Sequence, residues 1–88
     1  MNHHHRKILH QIFQHPTNAN LSYREVESVF GELGGELETR HGNRVAVKLK
    51  GHTEVFHHGG HSLPKEEVVQ VRKFLGTCGV DPVRDFPL

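Results

Sequence analysis

Tryptophan is absent from the 88 residues, and tyrosine, cysteine and methionine occur once each. Each shortage excludes something. A single cysteine, Cys78, cannot form an internal disulfide or a CxxC motif. It fits a reducing compartment and a small buried thiol near a helix end. No apolar run approaches the roughly 18 residues of a membrane span, and the N-terminus has no signal-peptide core, so a cytoplasmic location is expected. A chain of this length holds one core and little room for a deep substrate cavity, which puts function on a surface. A large excess of one charge is also lacking: eleven Lys and Arg face ten Asp and Glu, a formal charge of +1.

What the chain has in quantity is histidine, ten in all. Imidazole titrates near pH ~6.5, so mild acid would turn a weakly charged domain strongly cationic, and any affinity for nucleic acid should rise as pH falls. The run His3-His4-His5 is a compositional signal of a kind also left by purification tags, and it is set aside from fold reasoning.

Hydrophobic spacing organises the rest. Ile8, Leu9, Ile12 and Phe13 fall on one face of a helix from Arg6 to Gln14, closed by Pro16. Ser22 and Glu25 form a capping box with Leu21 and Val26 as its staple, so a second helix begins there. Val26, Val29, Phe30 and Leu33 make its buried stripe, and Gly34-Gly35 ends it. The period then changes to two. Leu37 alternates with Glu36 and Glu38, and Val45, Val47 and Leu49 alternate with Arg44, Ala46 and Lys48, which predicts half-buried strands. Turns at His41-Gly42-Asn43 and Lys50-Gly51 separate these from each other and from a third strand, Thr53 to His57. Residues 58–63 read as a loop. Pro64 is expected in the first turn of a last helix, with Glu66 and Glu67 favoured there by the helix dipole. Val68, Val71, Phe74 and Leu75 form its stripe, and Gly79 and Pro82 end it.

The expectation is one α+β domain over residues 1–88, in the order α-α-β-β-β-α, with helices on one face of a three-stranded antiparallel sheet. Residues 83–88 are expected to be a flexible tail. The uncovered sheet face is a platform for a polymer or protein.

If Lys50 and Gly51 are the two turn residues, antiparallel registry sets Leu49 against His52 and every pair up to Arg44 against His57. Val45 and Phe56 then share the core face. Arg44 with His57, Ala46 with Val55, and Lys48 with Thr53 share the open face. A guanidinium beside an imidazole can hold a phosphate bidentately while the neutral ring accepts a proton, which in RNA is that of the 2′-hydroxyl. The plainer reading is two solvated strand residues. His57, His58 and His61 invite a zinc reading, but their spacing matches no closed zinc pattern and no cysteine pair supports it. Cys78 has no His or acid neighbour in sequence to make it a catalytic nucleophile, and Ser22 is taken up by capping. Arg6, Lys7, Lys65, Arg72 and Lys73 are phosphate contacts or a solvated face, with interspersed acids favouring the latter.

The ordered pieces resemble the HicA toxin family. They are a capped helix ending in Gly34, a strand, Gly42-Asn43-Arg44 leading into Val45-Ala46-Val47-Lys48-Leu49, a turn at Gly51, a strand ending Val55-Phe56-His57, and a helix closing on Cys78-Gly79-Val80. The likeness runs from Leu21 to Val80, which implies that residues 21–80 are the core of a HicA-like domain and residues 6–15 an extra N-terminal helix. It implies a fold like a double-stranded-RNA-binding domain (dsRBD-like) and a ribosome-independent, mRNA-cleaving toxin of a bacterial type II toxin-antitoxin system. A HicB-like antitoxin would cover the active face. The resemblance puts the family's catalytic histidine at Arg44, and arginine stays protonated and is no general base. His57 is the candidate substitute, with Arg44 as phosphate clamp. Asn43, Lys48, Lys50 and His61 are the further candidates for contact with RNA. No metal or other cofactor is implied. Two other functions stay open: a catalytically inactive RNA-binding or protein-interaction module of the same fold, and a histidine-rich metal-binding regulator.

Overall fold

The computed structural model describes residues 1–18, 20–57 and 60–88. Its elements are α1 (His3–Ile12), α2 (Tyr23–Glu32), β1 (Glu36–Arg40), β2 (Arg44–Leu49), β3 (His52–His57), α3 (Lys65–Thr77) and α4 (Pro82–Asp85). Among the described residues no helix is long and apolar enough to cross a membrane.

Helix α1 starts three residues before the expected Arg6, because the Asn2 side chain accepts from the His5 N–H at 2.8 Å and caps the end. His3, His4 and His5 are therefore its first turn. At its other end Arg72 of α3 donates Nε to the Ile12 carbonyl at 2.9 Å, and Nη2 to the Gln14 carbonyl at 3.1 Å and the Thr17 hydroxyl at 3.0 Å. A fixed cation on the last carbonyls of a helix complements its dipole.

Helix α2 begins as its capping sequence predicts. The Ser22 hydroxyl accepts from the Glu25 N–H and donates to the Glu25 carboxylate, both at 3.1 Å. Leu21 and Val26, the staple pair, are buried. The helix ends in a Schellman motif: Gly35 N–H donates to Phe30 C=O at 2.9 Å, Gly34 N–H to Gly31 C=O at 3.1 Å, and Gly34 takes φ +94°.

The sheet order is β1-β2-β3, antiparallel throughout. Lys50 (φ +50°) and Gly51 (φ +81°) form the tight turn, and the pairing they impose runs Leu49 with His52 to Arg44 with His57, residue for residue as the sequence predicts. Val45, Val47, Leu49 and Phe56 face the helices and join one core with Leu9, Ile12, Val29, Phe30, Val68, Val71, Phe74 and Leu75. Phe30, Phe56 and Phe74 meet at its centre with ring centroids 5.5 to 6.1 Å apart, stacked or edge-on. The expectation of half-burial fails for β1, whose five residues are all exposed. It is an edge strand, and Leu37, on the helix side, stays 38% exposed.

Pro64 caps α3 from outside its first turn, and Gly79 (φ +80°) ends it in a second Schellman motif, Val80 N–H to Leu75 C=O at 3.0 Å. The segment expected to be a flexible tail holds a helical turn. Asp81 accepts from the Val83 and Arg84 N–H groups, Pro82 occupies the first helical position, and His10 Nε2 meets the Phe86 carbonyl at 2.8 Å. Pro82 starts a new helix here where it was expected only to end the old one.

A Cβ at Gly35 would lie 2.8 Å from the Phe30 carbonyl oxygen, whereas one at Gly31 would meet nothing within 4 Å. Gly35→Ala should lower stability by about 1–3 kcal/mol. Gly31→Ala should raise it by about 0.5–1 kcal/mol through helix propensity. Urea midpoints of the two variants, moving in opposite directions, check the assignment.

Candidate nucleic-acid interface

Alternation along paired strands decides which side chains share the open face. The registers place Glu36, Lys48 and Thr53 in one row across it, Glu38, Ala46 and Val55 in the next, and Arg40, Arg44 and His57 in the last. Charge is thus segregated by row. The corner beside the β1–β2 turn carries two arginines directly opposite one another in the register and a histidine, and all three residues are exposed. Like charges facing each other across strands destabilise a sheet by a few tenths to about 1 kcal/mol. Among the described residues no carboxylate pairs with either arginine.

The middle row supplies a floor. Ala46 is only 4% exposed although it lies on the open face, and Val55 beside it is 38% exposed. A shallow groove of about 430 Å³ crosses here, bordered by Glu36, Glu38, Arg40, Lys48 and Thr53. Among the described residues the face carries no aromatic side chain except His57, so it offers charge and shape and little surface for stacking bases.

The remaining candidates divide by position. Asn43, at φ +58°, belongs to the β1–β2 turn and flanks Arg44. Lys48 lies two rows from Arg44 on the same face. Lys50 is at the far end of the hairpin, about 20 Å along the strand from Arg44, and does not join the corner. His61 precedes α3, where its carbonyl accepts from the Tyr23 N–H at 3.2 Å and the residue borders a separate recess with Ser22, Arg24 and Glu27. His58, the third histidine of the zinc reading, lies outside the described residues. Among the described residues no three His, Cys, Asp or Glu side chains are grouped to share a metal ion. Arg72 is withdrawn from the phosphate candidates because it caps α1.

One residue at the site carries no signal in the sequence beyond its place in a helix's first turn. Glu67 is 9% exposed, accepts from the Tyr23 hydroxyl at 2.8 Å and from the His57 N–H at 2.7 Å, and so ties α2, α3 and the end of β3 together. It fixes the backbone that presents the His57 ring. A recess of about 290 Å³ adjoins this point, lined by Arg44, Val55, His57, Pro64, Glu66 and Gln70 among others. Its partners lie 44 and 10 residues away, so local sequence could not name them.

Cys78 is no nucleophile. Its Sγ donates to the Leu49 carbonyl at 3.4 Å, and burial pushes the thiol above its ordinary range.

No protein-family model, curated protein or solved structure matches the chain.

Replacing Glu67 with Leu leaves the Tyr23 hydroxyl and the His57 N–H without this acceptor and should cost about 2–3 kcal/mol, measured by urea unfolding. Glu67→Gln, which keeps one carbonyl oxygen, should cost less. Cys78 should resist a disulfide reagent such as DTNB at pH 7 in the folded protein and react within seconds once unfolded.

Proposed function

We propose that the open face of the sheet binds an RNA backbone at the Arg40, Arg44 and His57 corner, and that the chain is a HicA-like toxin module held in check by a HicB-like antitoxin covering the same face. The observation that carries this reading is the registered row of two arginines and a histidine in which, among the described residues, neither arginine is ion-paired. A phosphate offsets the repulsion between the guanidiniums and accepts from each of them. The arrangement of helices on one face of a three-stranded antiparallel sheet is the one a dsRBD-like fold has, and the absence of stacking aromatics suits contact with phosphate and ribose over contact with bases.

In the cleavage step that follows from this reading, Arg44 holds the scissile phosphate and His57 takes the proton of the adjacent 2′-hydroxyl. The freed 2′-oxygen attacks phosphorus, the 5′-oxygen leaves and takes a proton from the imidazolium or water, and the products are a 2′,3′-cyclic phosphate and a 5′-hydroxyl. No metal enters. One observation favours a binding-only module instead: Arg44 stands where the resemblance expects a histidine, and a guanidinium cannot serve as the base.

Binding and cleavage of a fluorescent RNA separate the readings. Arg44→Gln should weaken binding about tenfold and reduce the slope of log affinity against log salt by about one. His57→Ala should bind nearly as well as wild type and release no cyclic phosphate. Wild-type protein that binds RNA with strong salt dependence but never cleaves it assigns the binding-only module. Unchanged binding by Arg44→Gln overturns the site altogether.

A further inference from the structure

The two edges of the sheet are finished differently. On β3, the last outward backbone donor is taken by α3, since Glu67 accepts from the His57 N–H at 2.7 Å, and Gln70 Nε2 ties the helix to the Glu54 side chain at 2.9 Å. On β1, all five residues are exposed, β2 flanks it on one side only, and among the described residues no hydrogen bond beyond the ladder to β2 reaches residues 36–40. An open edge presents unpaired backbone donors and acceptors, and natural sheets usually guard such an edge with charge that repels a copy of itself.

The charges on β1 do the opposite. Glu36, Glu38 and Arg40 all lie on the open face, with Leu37 and Thr39 between them on the helix side. In an antiparallel pairing of two β1 strands centred on Thr39, Glu38 of each copy faces Arg40 of the other, twice, and Leu37 faces His41. No like charges meet. Centring on Glu38 instead would set two carboxylates face to face, which disfavours that register. The Thr39-centred register also relieves a conflict inside each chain, because Arg40, which already faces Arg44 across β2, gains a carboxylate on its other side. Leu37, 38% exposed and left bare by the helical layer, gains cover from the second copy.

We propose that this chain forms a two-fold dimer by joining β1 to β1 of a second copy in the Thr39-centred antiparallel register, giving one continuous six-stranded sheet. A five-residue strand buries far less than the ~1,200 Å² of a stable interface, so the dimer dissociates on dilution. The inference does not depend on the RNA reading: Arg44 and His57 stay uncovered in the dimer, while Arg40 is paired with Glu38 of the second copy.

Sedimentation velocity at low salt, from micromolar to millimolar protein, tests it. Wild type should shift from monomer to dimer across that range. Glu38→Lys, which puts lysine against Arg40 of the other copy, should weaken the dimer about tenfold or more. The double variant Glu38→Lys/Arg40→Glu, which reverses both members of each pair, should restore it. Both positions are exposed, and thermal melts that match wild type show that the fold is kept. A protein monomeric throughout the range, a dimer indifferent to Glu38→Lys, or a well-folded double variant that fails to dimerise overturns the proposal.

Discussion

The fold's use of its faces depends on a two-residue turn. Lys50 and Gly51 both adopt positive φ, the geometry whose twist matches that of the strands it joins, and this sets β3 against β2 with no residue to spare. One residue more or fewer would turn every side chain of β3 to the other face. Phe56 would leave the aromatic centre it shares with Phe30 and Phe74, and His57 would leave the row it shares with Arg44. The same constraint therefore builds the core and the candidate interface. Lysine in the left-handed region costs more than glycine or asparagine would, roughly 1–2 kcal/mol in a non-glycine residue. The core that this turn allows to close offsets that cost.

Around that core the helices are tied by polar contacts between segments distant in sequence. Arg72 gathers the end of α1, Glu67 joins α2 and α3 to the sheet edge, and His10 holds the last residues through the Phe86 carbonyl. The early histidines belong to the same class. His4 meets Glu25 at 2.6 Å and His5 contacts Glu32, so the run that looked like a tag or a metal tract lies along the seam between α1 and α2. Imidazole suits that role because it bonds a carboxylate whether neutral or charged.

What sequence shows and hides follows from the reach of each interaction. The capping box at Ser22, the stripe from Val26 to Phe30, the glycine stops and the hairpin register all rest on residues within a few positions of one another, and the structure repeats them. The start of α1 gives no periodic signal, because Asn2 caps it ahead of the apolar stripe that begins at Ile8. Glu67, Arg72 and His10 were misread or passed over because their partners lie 44, 60 and 76 residues away, and a surface acid or base looks alike in sequence whether it points to water or to a distant carbonyl. The Arg44–His57 pairing was legible, whereas Arg40 as the third member of the row was not, since it required the register of β1 as well.

The unequal finish of the two sheet edges also decides what kind of object self-association could produce. A sheet with both borders open can add copies at each end without limit and grow into a fibre. A two-fold pairing through β1 uses up that border on both copies at once. The outer borders that remain are the two β3 strands, whose last outward N–H, at His57, is held by Glu67 of the same chain. Growth beyond two would have to start from β3, where the Glu67 carboxylate already stands at one end.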